Sequence, residues 1–276
     1  MDLSIKVRED NPNQPVYILG QLIHNNQVID YLKNLGIETI DSIPENLGGI
    51  CIIRTHGATP ETIQALEQNG CKIIDATCPD VKRVQDKARQ LAEENYKVII
   101  IGKPDHPEVI AIKAHADLHA KENSLVVSSV KDAEGYVEEI NKAEKIGVVV
   151  QTTQKPEKFR EILDIIKLHA GDLKVYDTIC PATSKRQQEA KTLAAEVDLM
   201  IVVGSKSSAN TTHLAEIVKI YTDTIFIETH NDLENYKELI AQAETIGITA
   251  GASTPGFVIE EVINNIGEKT SDQNNQ

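Results

Sequence analysis

Two stretches of this chain, DATCPDVKRVQ at 75–85 and DTICPATSKRQ at 177–187, share an Asp-x-x-Cys-Pro step that opens a polar, helix-like run. A cysteine just ahead of a Pro-started helix sits where the helix dipole and the free backbone N–H groups favour a thiolate or an anionic cluster. Cys78 and Cys180 both have that setting. The other two cysteines read differently. Cys51 lies inside the apolar run GICIIRT and Cys71 just ahead of KIID, where a small, soft side chain packs well, so both are expected in the core.

The paired step belongs to a longer repeat. From Cys78 to Gly102 is 24 residues, and from Cys180 to Gly204 is again 24. Four residues beyond each glycine stands a polar group able to hydrogen-bond, His106 in IIIGKPDHPEV and Ser208 in VVGSKSSANT; Gly20 and His24 in YILGQLIHNNQ form a third copy of this half. A second half, in which a strand, a polar turn and a Pro-started helix follow one another, appears as IIRTHGATPET, VVVQTTQKPEK and GITAGASTPGF. Pro60, Pro156 and Pro255 suit the first helical turn, where a missing N–H costs nothing.

The elements that must carry these turns are legible as short apolar runs alternating with amphipathic stretches: PVYILG, GICIIRT, CKIIDA, KVIIIG, SLVVSS, IGVVVQ, LKVYDT, LMIVVG, TIFIET and IGITAG. Runs of this kind match buried parallel strands joined by crossover helices, so the expected class is α/β. Three repeats imply three small doubly wound units, arranged as a trefoil if a pseudo-threefold axis relates them, with the repeated loops at the carboxyl ends of the strands. The expected boundaries are 1–77, 78–179 and 180–267, with 268–276 as a polar, disordered tail. Counting the Cys-to-Gly interval back from Gly20 ends before Met1, so the first unit is expected to be N-terminally incomplete and its cysteine to lie upstream; the alternative is that this unit never had one.

Composition narrows the function classes. The chain has 276 residues, 41% of them hydrophobic, and a formal charge of −14 with a pI near 5.0. Such a surface repels nucleic-acid backbones and anionic lipid unless a local basic patch intervenes. No apolar run is long enough to span a membrane and the N-terminus lacks a secretory pattern, so the expected location is cytoplasmic. Four cysteines in a reducing compartment do not make a disulfide framework.

Two equivalent thiolates with a third implied suit a three-cysteine iron–sulfur cluster that leaves one iron open to substrate. A zinc or other mononuclear site at Cys78 and Cys180 with a nearby histidine is a rival reading, although the local C-x-x-C pairs typical of zinc are absent. The polar groups of the repeated loops, His24, His56, Thr152, Thr153, Ser208, Asn210 and Ser253, are neutral donors that suit a small phosphate near helix N-termini; each alone also reads as a cap or turn residue. His106 and Glu108 in DHPEV can pass a proton, or Glu108 can be a surface residue capping the helix that begins at Pro107.

In order along the chain, LIHN, THG, DATCP, HPEV, QTT, DTICPATSKRQ, VVGSKSSAN and TAGASTP resemble the 4-hydroxy-3-methylbut-2-enyl diphosphate reductase family. The resemblance implies a three-unit α/β fold around a 4Fe-4S cluster, with Cys78 and Cys180 as two of its three cysteine ligands. It further implies that His24, His56, Ser208, Asn210 and Ser253 bind the substrate diphosphate, while His106, Glu108 and Thr152 surround its hydroxyl end. In such enzymes two electrons and protons replace the hydroxyl, water leaves, and an allyl intermediate yields isopentenyl and dimethylallyl diphosphates. Glu108 looks like the proton donor, held by Thr152 and His106. Electrons would come from a ferredoxin or flavodoxin system.

Three departures stand against the family pattern. A Gly-Phe-Cys-x-Gly-Val segment bearing the remaining cluster cysteine is not in this sequence, Ala209 stands where a second serine is usual, and Gly256 where an Asp is common. The first keeps a second reading open, a non-catalytic relative that binds an isoprenoid diphosphate through the retained loops.

Overall fold

The computed structural model describes every residue except 1, 21–25, 119–123, 253 and 274–276. Its strands are β1 (Val16–Leu19), β2 (Ile37–Ile40), β3 (Ile50–Ile53), β4 (Lys72–Asp75), β5 (Lys97–Ile101), β6 (Ser124–Val127), β7 (Lys145–Val150), β8 (Asp172–Val175), β9 (Leu199–Val203), β10 (Asp223–Ile227) and β11 (Ile246–Ala250). The helices are α1 (Asp2–Asp10), α2 (Asn26–Asn34), α3 (Pro60–Gln68), α4 (Pro79–Glu93), α5 (Pro107–Ala116), α6 (Val130–Gly135), α7 (Val137–Lys142), α8 (Pro156–His169), α9 (Pro181–Ala194), α10 (Ala209–Val218), α11 (Lys237–Gln242) and α12 (Gly256–Gln273). Among the described residues, no helix is long and apolar enough to cross a membrane.

Every strand pairing is parallel, and three sheets result, with orders β2-β1-β3-β4, β6-β5-β7-β8 and β10-β9-β11. The α/β class with three parallel-sheet units is therefore the observed one. The same order recurs down to single hydrogen bonds: the N–H groups of Gly20, Gly102 and Gly204, each one step past the central strand, donate to Ile40, Val127 and Ile227.

The ten strands expected from apolar runs are all present; β2 is additional. Its sequence, IETI, is short and half polar, and it is an edge strand with only Ile37 fully buried, so no continuous apolar run announces it. Pro60 and Pro156 start their helices as expected. Pro255 instead lies one residue before α12, where its carbonyl accepts the N–H of Ile259 in a helix-opening bond. α12 itself runs on to Gln273, six residues into the segment read as a tail, because no proline follows Gly267 to stop it.

The chain forms two compact units. The larger carries β1–β8. One face of its β5–β8 sheet packs Ile99, Ile101, Val148 and Val150 against Phe159, Ile162 and Ile166 of α8, and the other packs Val98, Ile100 and Val149 against Val84, Ala88 and Leu91 of α4 and Ile112 of α5. The strand that leads into Cys78, β4, thus belongs to the first sheet while the helix that follows, α4, is buried on the second. That crossing delivers Cys78 to the second sheet's loops. In the smaller unit, β9–β11 lie between Val258, Val262 and Ile266 of α12 and a second layer formed by Ala190 and Ala194 of α9 with Leu214 and Val218 of α10.

Cys51 and Cys71 are buried core residues beside Leu66, and burial pushes the Cys51 thiol up to about 11 and the Cys71 thiol upward as well. Both remain neutral thiols in the physiological range. The expectation of a packing role for this pair holds.

Candidate active site

In the larger unit, five loops leave the carboxyl ends of β3, β4, β5, β7 and β8, and four of the expected site residues meet there in pairs. Cys78 is the N-cap of α4 with Pro79 in the first turn, and Cys180 directly precedes α9 with Pro181 first. The two are geometric equivalents. The N–H of Cys78 donates to Thr55 O at 3.0 Å, the N–H of Cys180 to Thr152 O at 2.8 Å. Upstream, Asp75 accepts the N–H of Thr77 and Asp177 accepts the N–H of Ile179, so each Asp-x-x-Cys step is a tight turn held by its own aspartate. This explains the spacing that the sequence repeats.

Neither thiol is in a disulfide, and both are half-buried. Cys180 Sγ donates to Asp80 Oδ2 at 2.9 Å, which brings the turn of one cysteine onto the helix begun by the other. Among the described residues, no three His, Cys, Asp or Glu side chains converge on a single-ion position.

Glu108 is the most confined acid of the site, 1% exposed in the first turn of α5. It is not a surface cap. Thr152 holds both of its oxygens: the backbone N–H donates to Oε1 at 2.7 Å and the hydroxyl to Oε2 at 2.9 Å. Burial raises the Glu108 pKa above its ordinary value, and the two Thr152 bonds oppose that rise without cancelling it.

His106 caps α5, its Nδ1 accepting the N–H of Glu108 at 3.2 Å. An accepting Nδ1 places the proton of the neutral ring on Nε2. The His56 ring stands edge-on to it, with centroids 5.2 Å apart. Gly57, next to His56, adopts φ +79, and a Cβ there would lie 2.3 Å from Gln85 Nε2, so the loop closes on α4 only because this residue is glycine.

Two polar residues that the sequence did not single out support these pairs. Thr178, 2% exposed, donates to Val150 O and accepts the Val150 N–H with one hydroxyl, tying the Cys180 turn to the end of β7. Gln151, 3% exposed, joins the β5 and β7 loops. Both sit in motifs recognised by sequence, yet nothing in their residue type distinguishes them from ordinary turn residues. Arg54, which occupies the place of Gln151 in the first sheet, lines a cavity of about 410 Å³ with Gly20, Asp41 and Thr59.

In the smaller unit, Ser208 is the N-cap of α10, accepting the N–H of Thr211 at 3.4 Å, and Asn210 lies in the first turn of that helix. Asn210 borders a small cleft with Arg186, Gln187, Gly251 and Ala252. His24 and Ser253 lie outside the described residues.

The chain is similar to known proteins along nearly its whole length. The profile of the family described as LytB protein matches residues 1–267. The 4-hydroxy-3-methylbut-2-enyl diphosphate reductase of Aquifex aeolicus is 40% identical over 269 residues, covering 96% of this chain and 91% of that protein. The protein of the same name from Clostridium tetani is 42% identical over 269 residues, and there the match spans 95% of this chain but 40% of the relative. A solved structure of (E)-4-hydroxy-3-methyl-but-2-enyl diphosphate reductase, described as the terminal enzyme of the non-mevalonate pathway, superposes with a TM-score of 0.80 at 40% identity, covering 97% of this chain and 93% of that one. A Plasmodium falciparum reductase gives 0.78 at 28% identity, with 95% and 82% covered. Fold, repeated cysteine turns and similarity over almost every residue agree: the chain belongs to the LytB family of 4-hydroxy-3-methylbut-2-enyl diphosphate reductases.

Proposed function

We propose that this chain is an oxidoreductase that converts 4-hydroxy-3-methylbut-2-enyl diphosphate to isopentenyl and dimethylallyl diphosphates, the last step of the non-mevalonate route to isoprenoid precursors. The observation that carries the reading is the buried Glu108–Thr152 pair, backed directly by the Cys180 turn through Thr152 O. The reaction replaces a hydroxyl by hydrogen and releases water, so it consumes two electrons and two protons. A buried carboxyl whose pKa is raised by that burial is suited to deliver the proton that turns the departing hydroxyl into water.

The donor set fits an iron–sulfur cluster better than a single ion. Two soft thiols in equivalent turns each lead a helix, and thiolates are the ligands that such clusters take. Cys78 and Cys180 would hold the cluster. When bound, a 4Fe-4S cluster of this type supplies single electrons and an open iron. The remaining roles belong to side chains: Thr152 fixes the Glu108 carboxyl, His106 holds the start of the helix that carries it by accepting the Glu108 N–H, and His56, with His24, Ser208, Asn210 and Ser253, binds the diphosphate. A ferredoxin- or flavodoxin-type protein supplies the electrons, and the cytoplasm is the proposed location.

The test is anaerobic reconstitution with iron and sulfide, followed by substrate and a chemical reductant. The reading expects visible absorbance from bound cluster and formation of the two five-carbon diphosphates. Iron-loaded protein that binds the substrate and forms neither product would instead identify a non-catalytic relative.

A further inference from the structure

Asp80 stands in the first turn of α4, two residues after Cys78, and its two carboxyl oxygens face different partners. Oδ2 accepts the thiol of Cys180 at 2.9 Å, and Oδ1 lies 3.5 Å from the Arg83 guanidinium, one turn along the same helix. The acid thus reaches the turn of one cysteine from the helix that the other begins. Its side chain is 30% exposed, so solvent screens the charge only in part.

Nothing in the repeated architecture calls for this acid. The residue at the same place in the second copy, two past Cys180, is Ala182, and α9 has no acid in its first turn. The Asp-x-x-Cys turns themselves are held by Asp75 and Asp177. The Asp80 carboxylate is therefore a property of one turn and not of the repeat that builds both.

A cysteine that ligates iron has given up its thiol proton. The bond from Cys180 to Asp80 then loses its donor, and what faces the ligand sulfur is a carboxylate oxygen whose counter-charge, Arg83, lies on the other oxygen. Reducing a cluster adds one electron to it, and a negative charge beside a ligand sulfur opposes that addition.

We propose that Asp80 lowers the reduction potential of the cluster held by Cys78 and Cys180, and that Arg83 moderates the effect by pairing with the carboxylate. This rests on the function proposed above. Two consequences follow from a lowered potential. The protein that supplies the electrons must itself be a strong, low-potential reductant, and the reduced cluster gains driving force for passing its electrons to the substrate.

The test is a redox titration of the anaerobic, iron- and sulfide-loaded full chain, followed by visible absorbance and by the electron paramagnetic resonance signal of the cluster. Asp80→Asn and Asp80→Ala should each shift the midpoint to more positive potential, the first further because an amide can donate to the ligand sulfur and a methyl cannot. Asp80→Glu keeps the charge and should stay nearer the wild type. Arg83→Gln should shift the midpoint to more negative potential, and by less when Asp80 is already alanine; equal shifts in the two backgrounds overturn the role of Arg83. Added salt should narrow the gap between wild type and Asp80→Ala, and a gap that salt leaves unchanged overturns charge as its cause. Midpoints that do not move in Asp80→Asn and Asp80→Ala, at wild-type iron content, overturn this inference alone. Loss of iron from both variants also overturns it, since Asp80 would then hold the cluster and not tune it. Wild-type protein that takes up no cluster overturns the functional reading along with it.

Discussion

Thr152 meets Glu108 twice, with its backbone N–H on one carboxyl oxygen and its hydroxyl on the other. Because the Thr152 carbonyl also receives the N–H of Cys180, one residue sets both the acid and the cysteine turn. The arrangement makes the acid's position a property of the sheet rather than of a flexible side chain.

Glu108→Gln should lower kcat by roughly 10²- to 10⁴-fold, the usual worth of a general acid, with substrate affinity largely kept. Its effect on stability has a definite sign. Burial raises the Glu108 pKa, so the folded protein holds a proton that the unfolded chain has lost, and stability from this group falls as pH rises from the ordinary carboxylate range through the raised value. The melting temperature of Glu108→Gln minus that of the wild type should therefore increase with pH across that window. A difference independent of pH would contradict the raised pKa.

Thr178→Val keeps the side chain's shape but removes the hydroxyl that serves both the N–H and the carbonyl of Val150. Denaturant unfolding should show a loss of about 1–3 kcal/mol, the cost of leaving a buried backbone group unpaired. Iron retention should fall in the same variant, since the hydroxyl anchors the Cys180 turn. Wild-type stability would show that the backbone finds another partner.

Gly102→Ala places a Cβ 2.7 Å from Val109 Cγ2 and 3.0 Å from Gln151 Oε1. The added methyl should destabilise the fold by roughly 1–3 kcal/mol and misplace the α5 terminus that bears His106 and Glu108. Thermal melts and kcat measured on the same preparation check both effects.

Cys78→Ser and Cys180→Ser should each reduce iron bound per chain after anaerobic reconstitution, whereas Cys51→Ser should leave iron content near the wild-type value because that thiol is buried among Leu66 and Tyr17. Equal iron in all three variants would dissociate the paired turns from metal binding.

Most of the fold could be read in advance because buried parallel strands write themselves as apolar runs, and the repeat supplied their grouping. β2 escaped because an edge strand needs no such run. At the site, Cys78, Cys180, His106 and Glu108 stood out by type and spacing. The burial of Glu108 did not, since an acid in the first turn of a helix is usually a solvated cap, and only the packing of Thr152 over it distinguishes the two cases. Thr178, Gln151 and Asp80 act through hydrogen bonds made across 28, 48 and 100 residues of sequence, contacts that local pattern does not encode.

The central claim is tested most directly by comparing wild type and Glu108→Gln, both anaerobically loaded with iron and sulfide, in one reductant-driven assay with 4-hydroxy-3-methylbut-2-enyl diphosphate. The account predicts isopentenyl and dimethylallyl diphosphates from the wild type and at least a roughly 10²-fold slower rate from a variant that still binds substrate. Equal rates from the two proteins, or no product from an iron-loaded wild type, would contradict it.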